Sequence, residues 1–213
     1  MKVSAFTVGA FQENTYLVVD EDGRQCVLID PGAEGERLVK AVRASGATLV
    51  AIWLTHAHLD HVGAVAAVKR AFDVPIYLHP LDRPLYDRAD RQAAAYGLPF
   101  EQPPAPDREL AEGEDVMLGD LTFEVMHVPG HAPGHVVFHC ENIAFVGDLI
   151  FAGSIGRTDL PGSNPQDMTD SLERAATLSP DTVLYPGHGP ATTMERELAS
   201  NPFLNGGARA LGG

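Results

Sequence analysis

Residues 49–61 read Leu49-Val50-Ala51-Ile52-Trp53-Leu54-Thr55-His56-Ala57-His58-Leu59-Asp60-His61, and this order decides the fold. The first six are continuously apolar, the pattern of a strand buried on both faces. His56 and His58 are two apart, so extended backbone carried past Leu54 projects both rings to one side. Asp60 and His61 fall at a turn into 62–72, whose apolar residues predict a helix. A strand end thus supplies two nitrogens, and a helix start supplies one oxygen and one nitrogen. Neutral imidazole and carboxylate are natural ligands for zinc and similar ions, and these residues suffice for parts of two metal spheres. Asp60 alone would also serve as a helix cap, and a single histidine at a strand end is ordinarily structural. Four ligand-type residues in six positions point to metal instead.

The chain has 213 residues, 45% of them hydrophobic, which fits one globular domain spanning 1–213. No apolar run approaches the length of a membrane span. The start Met1-Lys2-Val3-Ser4-Ala5-Phe6 enters strand-like sequence without a signal peptide's apolar region. Cys26 and Cys140 both sit in strand-like segments, where a buried free thiol is the default, so a cytoplasmic location is expected. The net charge is -14 with no basic stripe, which argues against nucleic acid as a partner. Any anionic substrate must then be held by a few placed cations. The oligomeric state is left open.

Strands are expected at 2–8, 14–20 and 25–29, with Asp22-Gly23 as a hairpin turn between the last two. A helix over 34–44 closes at Ser45-Gly46. After the 49–54 strand and the 62–72 helix comes a short strand at 75–79. Residues 81–106 carry Pro84, Pro99, Pro103, Pro104 and Pro106 and read as a long surface excursion with a short helix around 88–95, a candidate lid by length alone. Hairpins follow, turning at Gly119-Asp120 and Glu141-Asn142. A helix over 165–178, a strand at 182–185 and a helix over 192–199 lead to a Gly-rich tail expected to fray from about 205. Two packed sheets with helices on their outer faces accommodate this order.

Three further strand ends deliver a ligand-type residue beside glycine: Pro129-Gly130-His131-Ala132-Pro133-Gly134-His135, Val146-Gly147-Asp148, and Pro186-Gly187-His188-Gly189. Each is weak singly, but with 55–61 they converge. From Asp30-Pro31-Gly32 to Pro186-Gly187-His188-Gly189 the chain resembles a metallo-β-lactamase superfamily hydrolase. Gly147-Asp148-Leu149-Ile150-Phe151 and Gly153-Ser154-Ile155-Gly156-Arg157-Thr158-Asp159 are similar to the glyoxalase II-like (hydroxyacylglutathione hydrolase) branch. The resemblance implies an α+β fold, a four-layer αββα sandwich with the metal site at one edge of the sheets. It implies one metal on His56, His58 and His131, a second on Asp60, His61 and His188, and Asp148 bridging them. Asp60 and Asp148 are its catalytic carboxylates. The implied cofactors are two divalent ions, zinc first, with iron or manganese as alternatives. The implied reaction is hydrolysis of S-lactoylglutathione or a related acyl thioester by a hydroxide shared between the ions.

Among the remaining candidates, His135 is a candidate to orient the ligand shell. His79 reads as a loop cap, His127 and His139 as structural or solvated, and Asp30 as a brace for the metal-binding turn. Long-form glyoxalase II enzymes carry a basic C-terminal helical extension. Here few residues follow His188, and Arg209 is the last cation. Thr158-Asp159 stands where the family has an aromatic residue. These departures leave glutathione recognition open and make Arg157 the candidate contact for a substrate carboxylate. The competing enzyme class is a persulfide dioxygenase, which the same histidine motif and the Gly156–Asp159 run also resemble. It would use one iron on His56, His131 and Asp148. A domain merely braced by metal is the non-catalytic alternative. Structural sites are usually closed and cysteine-rich, unlike this set.

Overall fold

The structure, a computed structural model, describes residues 1–208. The first sheet runs in order through β1 (Lys2–Val8), β2 (Glu13–Val19), β3 (Gln25–Ile29), β4 (Thr48–Trp53), β5 (Ile76–Leu78) and β6 (Arg108–Glu109). The first three are antiparallel hairpin neighbours, and β3 to β6 are parallel. The second sheet begins with β7 (Asp115–Leu118), β8 (Leu121–His127), β9 (Val136–Cys140) and β10 (Ile143–Gly147). A two-stranded ribbon, β11 (Ile150–Phe151) and β12 (Ser154–Ile155), precedes its last members, β13 (Val183–Pro186) and β14 (Thr192–Thr193). Its spatial order is β14-β13-β10-β9-β8-β7, with β10 and β13 parallel. Both sheets are therefore mixed.

Alternation along the strands sorts the side chains into layers. Val27, Ile29, Ala51 and Trp53 of the first sheet meet Phe123, Val125, Val136, Phe138 and Phe145 of the second, forming the core between the sheets. Trp53 stacks on Phe138 at 5.2 Å and meets Phe123 edge-on. Each such large buried side chain contributes about 1.5–3 kcal/mol. The intervening residues face outward. Leu17, Cys26, Leu28, Ile52 and Ile76 pack under α1 (Gly35–Ser45), α2 (Leu59–Val62) and α3 (Val65–Phe72). Val137, Ala144, Val146 and Leu184 pack under α6 (Pro165–Ala175) and α7 (Met194–Ser200). Between α3 and α6 lie α4 (Arg83–Tyr86) and α5 (Ala89–Ala95). The result is a four-layer αββα sandwich. No described helix is long and apolar enough to cross a membrane, and both cysteines are buried and free.

Three expectations need correction. The 62–72 helix instead starts at Leu59, with Asp60 inside its first turn, and breaks at Gly63-Ala64 before resuming at Val65. The break lies where the segment crosses the Asp30-Pro31-Gly32 turn. A β-carbon on Gly63 would overlap the Gly32 carbonyl, and Ala64 N–H donates to Pro31 O instead. Residues 81–106 carry the short helix expected around 88–95 as α5, but the segment is anchored in the core and is not a surface excursion. Pro80 and Pro84 occupy first-turn positions where a missing N–H costs nothing, so a 3₁₀ turn and α4 form through them. Tyr86, Ala89 and Ala93 are buried, and the Tyr86 hydroxyl donates to Pro104 O at 2.8 Å. The helix expected over 192–199 gives Thr192 and Thr193 to β14 and begins at Met194, capped by Thr193. Residues 205–208 follow in a turn, Ala208 N–H donating to Pro202 O at 2.8 Å, which leaves the expected fraying from about 205 untested. The rest of the expected frayed tail, with Arg209, lies outside the described residues.

Candidate metal centre

β4 ends at Trp53, and the residues after it are held by two carboxylates. Asp30 adopts φ 49°, a conformation uncommon for a residue with a side chain. Its carboxylate accepts from Thr55 N–H at 2.7 Å, Thr55 Oγ1 at 2.6 Å and His61 Nδ1 at 3.0 Å. Asp82, fully buried, accepts from Ala57 N–H at 2.9 Å and Gly134 N–H at 2.5 Å. It thereby joins the histidine loop to the His131 turn at the end of the other sheet. Asp30 is the brace expected of it, and Asp82 is a second one that the sequence did not disclose.

These braces fix which imidazole nitrogen is free. The Thr55 hydroxyl donates to Asp30, so it accepts from His56 Nδ1 at 3.0 Å, leaving the Nε2 lone pair available. His61 Nδ1–H donates to Asp30, and His131 Nδ1–H donates to Arg157 O at 2.8 Å. In each case the neutral ring presents its lone pair on Nε2, the arrangement by which proteins orient histidine toward a metal. His58 turns its Nδ1 inward, 2.8 Å from His131 Nε2.

Two clusters result. Ligand atoms of His56, His58 and His131 lie within 4.8 Å of one another, as do those of Asp60, His61 and His188. The His loop gives two members of each, and the second sheet gives the third. Asp148 lies between them: its Oδ2 is 3.4 Å from His131 Nε2 and 3.6 Å from His188 Nε2, and its Oδ1 is 3.5 Å from His61 Nε2. All seven residues singled out in the sequence therefore meet in one place. Asp30, His56 and His61 form a third grouping of the same size, but the Asp30 oxygens are already committed to Thr55 and His61. Gly187 makes room for the junction, since a β-carbon there would overlap Asp148 Oδ1 and sit 2.7 Å from His61 Cε1.

The donor set fits cations. His56 Nε2, His61 Nε2 and Asp148 Oδ1 are buried with no hydrogen-bond partner among the described residues. Such orphaned atoms are costly unless something binds them. Burial, reinforced by neighbouring imidazoles, holds His56 well below its usual pKa and His58 down to about 3, so both are neutral and ready to coordinate. His61 moves the opposite way: burial alone would lower it, but Asp148 and Asp60 outweigh that and raise it well above normal. Asp148 is held below the usual carboxylate range; burial opposes this, and His61 and His131 prevail. The carboxylates thus draw positive charge to the junction. The histidine and aspartate clusters fit a dimetal site.

His135, fully buried, stacks on His56 with ring centres 4.9 Å apart, and its Nε2 accepts from Asp148 N–H at 3.0 Å. It holds the backbone of Asp148, as its candidacy foresaw. His79 caps the 80–82 turn through Leu81 N–H and stacks on His127 at 4.2 Å. His139 stays in β9 and joins neither cluster. Among the described residues Arg157 meets the centre through its backbone carbonyl, which accepts from His131 Nδ1. Its exposed guanidinium is forked onto Asp159 by two bonds of 2.6 Å. Three residues at the start of β2 went unnoticed. Glu13 is buried with its Oε1 4.0 Å from His61 Nδ1, and burial raises its pKa well above normal. Asn14 and Tyr16 reach the His188 turn. Their signal was a polar run, Glu13-Asn14-Thr15, opening a strand that is buried throughout.

Comparison with known proteins agrees with this geometry. A family model described as the metallo-beta-lactamase superfamily matches residues 8–188. A hydroxyacylglutathione hydrolase, GloC, of Haemophilus influenzae is 40% identical over 96% of this chain and 99% of its own length. A crystal structure of TTHA1623 in a di-iron-bound form is 50% identical, with a TM-score of 0.88 over 95% of this chain and 100% of that one. The crystal structure of the BLEG-1 B3 metallo-beta-lactamase is 36% identical, with a TM-score of 0.89 over 95% and 99% of the two chains.

Proposed function

We propose that this chain, which belongs to the metallo-beta-lactamase superfamily, is a metal-dependent thioester hydrolase of the glyoxalase II-like kind. The observation that carries the reading is the shared carboxylate: Asp148 stands within 3.6 Å of histidines from both clusters. In this reading His56, His58 and His131 hold one divalent ion, Asp60, His61 and His188 hold another, and Asp148 serves both. Zinc is the first candidate, and the di-iron form of TTHA1623 keeps iron as an alternative. When bound, such a pair lowers the pKa of a water toward neutrality and polarises an acyl carbonyl.

The chain's own residues do the rest. Asp30 and Arg157 O hold the proton of His61 and His131 on Nδ1, so neither ring turns its N–H toward the reacting group. His135 fixes the backbone of Asp148. Asp60, held below the usual carboxylate range, where burial is overcome by His61 and His188, stays ionised at neutral pH. No residue need protonate the leaving group, because a free thiol's pKa is only about 8.5 and its thiolate departs readily. The 40% identity to GloC supports a hydroxyacylglutathione-type thioester as substrate. The two buried free thiols support a cytoplasmic location, and the acidic charge supports a small-molecule partner over nucleic acid.

The test is thiol release from S-lactoylglutathione by the metal-loaded protein, beside Asp148→Asn. Release that disappears in the variant is the expected result. No release from a protein holding two ions per chain would overturn the reading. Oxygen uptake on glutathione persulfide with one iron per chain would replace it with the dioxygenase, and turnover of a β-lactam would replace it with the activity that BLEG-1's name states.

A further inference from the structure

His188 differs from the other histidines of the two clusters. His56, His61 and His131 each have a backing bond on the second ring nitrogen; among the described residues His188 has none, its ring facing the carboxylates of Asp60 and Asp148 with Phe151 edge-on to it, and unlike His58 it is carried by a turn of the second sheet. It is also partly exposed, its side chain 27% accessible. The turn Pro186-Gly187-His188-Gly189 follows β13 in the second sheet, yet most of its anchors come from β2 in the first. The Asn14 amide donates to Pro186 O at 3.1 Å and to Gly189 O at 2.7 Å, bracketing His188 on both sides. The Tyr16 hydroxyl donates to Pro186 O at 2.7 Å, and Asn14 N–H donates to Gly187 O at 2.7 Å. Thr7 Oγ1 donates to Asn14 Oδ1 at 2.9 Å, which orients the amide so that its NH₂ faces both turn carbonyls.

We infer that Asn14 is a positioning residue that governs occupancy of the cluster Asp60, His61 and His188, acting through His188 and leaving the cluster of His56, His58 and His131 alone. The inference rests on the two-ion reading above. Removing the amide leaves the turn's backbone bond to Asn14 N–H in place, so the strand contact survives while the bracket is lost. His188 then drifts relative to Asp60 and Asp148. Partners that orient metal ligands from behind are worth about 10–100-fold in metal affinity when removed, and the loss should fall on one ion only.

The experiment titrates metal-free protein with Co²⁺, following the visible spectrum and the ions retained per chain after desalting. It compares wild type, Asn14→Ala, Tyr16→Phe and Thr7→Val, with circular dichroism of each metal-free protein. Wild type should retain two ions. Asn14→Ala should retain one at unchanged affinity and bind the second about 10–100-fold more weakly. Tyr16→Phe, which keeps the bracket and loses one donor, should weaken the second ion several-fold and serves if Asn14→Ala does not fold. Thr7→Val, which loses the bond that orients the amide but keeps both amide donors, should weaken the second ion less than Asn14→Ala does. Two ions of unchanged affinity in folded Asn14→Ala and Tyr16→Phe overturn the inference alone. Equal weakening of both ions overturns it too, because the residue would then act on the fold generally. One ion in wild type overturns the inference together with the two-ion reading.

Discussion

Replacing Asp82 with alanine tests how the two halves of the centre are held together. Its carboxylate takes the N–H groups of Ala57 and Gly134, one from each sheet's contribution, in a spot where Asp82 itself is fully buried. The variant leaves both donors without that acceptor, and a buried unsatisfied N–H costs about 1–3 kcal/mol, so the gross loss is about 2–6 kcal/mol. Burial of the carboxylate, which pushes its pKa up to about 6, is relieved at the same time. The net destabilisation should therefore lie toward the lower end, about 2–3 kcal/mol. Urea denaturation of the metal-free proteins at pH 8 measures it without the stabilisation that bound ions add. With a slope of about 2–3 kcal/mol per molar urea, the midpoint should fall by about 1 M. A fall below about 0.3 M would refute the reasoning, since the two N–H groups would then have found other acceptors.

Asp82→Asn should show a pH signature. Because the folded-state pKa of about 6 exceeds the unfolded value near 4, the contribution of Asp82 is complete below pH 4 and is lost as pH rises to about 6. The stability of wild type relative to Asp82→Asn should decline across that window and stay level above it; a rising difference would contradict the assignment. Gly187→Ala should lower metal affinity at least 10-fold, measured by competition with a chelator, because its β-carbon intrudes on Asp148 and His61. Unchanged affinity would mean that the turn shifts freely. Arg157→Ala should raise KM for an anionic thioester and leave it unchanged for a neutral one. The Asp159 fork must open for that contact to form, so Asp159→Asn should lower KM for the anionic substrate, and equal KM values across all three proteins would remove Arg157 from recognition.

Much of the fold and of the centre is legible in the residues because ligand chemistry and strand punctuation are local. The apolar run ending at Leu54, the histidines after it and the glycine-flanked strand ends each declare themselves within a few positions, and all seven candidate ligands meet, six in two clusters and Asp148 between them. What stays hidden depends on distant segments crossing. Asp82 looks like one acidic residue in a proline-rich stretch until folding brings Ala57 and Gly134 to it. The break at Gly63 comes from the Gly32 carbonyl passing against the helix, which no helical periodicity encodes. β6 and the β11–β12 ribbon, with two residues per strand, are too short to carry an alternation. Arg157 shows the opposite case: the motif singles it out, but Asp159 two residues on claims its side chain.

The order of the seven residues along the chain has a consequence during synthesis. A nascent chain exposes His56, His58, Asp60 and His61 long before its second half exists, and those residues contain two-thirds of each cluster but the whole of neither. The first cluster is complete only once His131 has emerged, and the second waits for His188, 57 residues later. On the two-ion reading, firm capture of the second ion is thus tied to a chain already made through β13 of the second sheet. On that reading the ion seals a folded product, and chains that stop short of residue 188 lack one ligand of the second cluster.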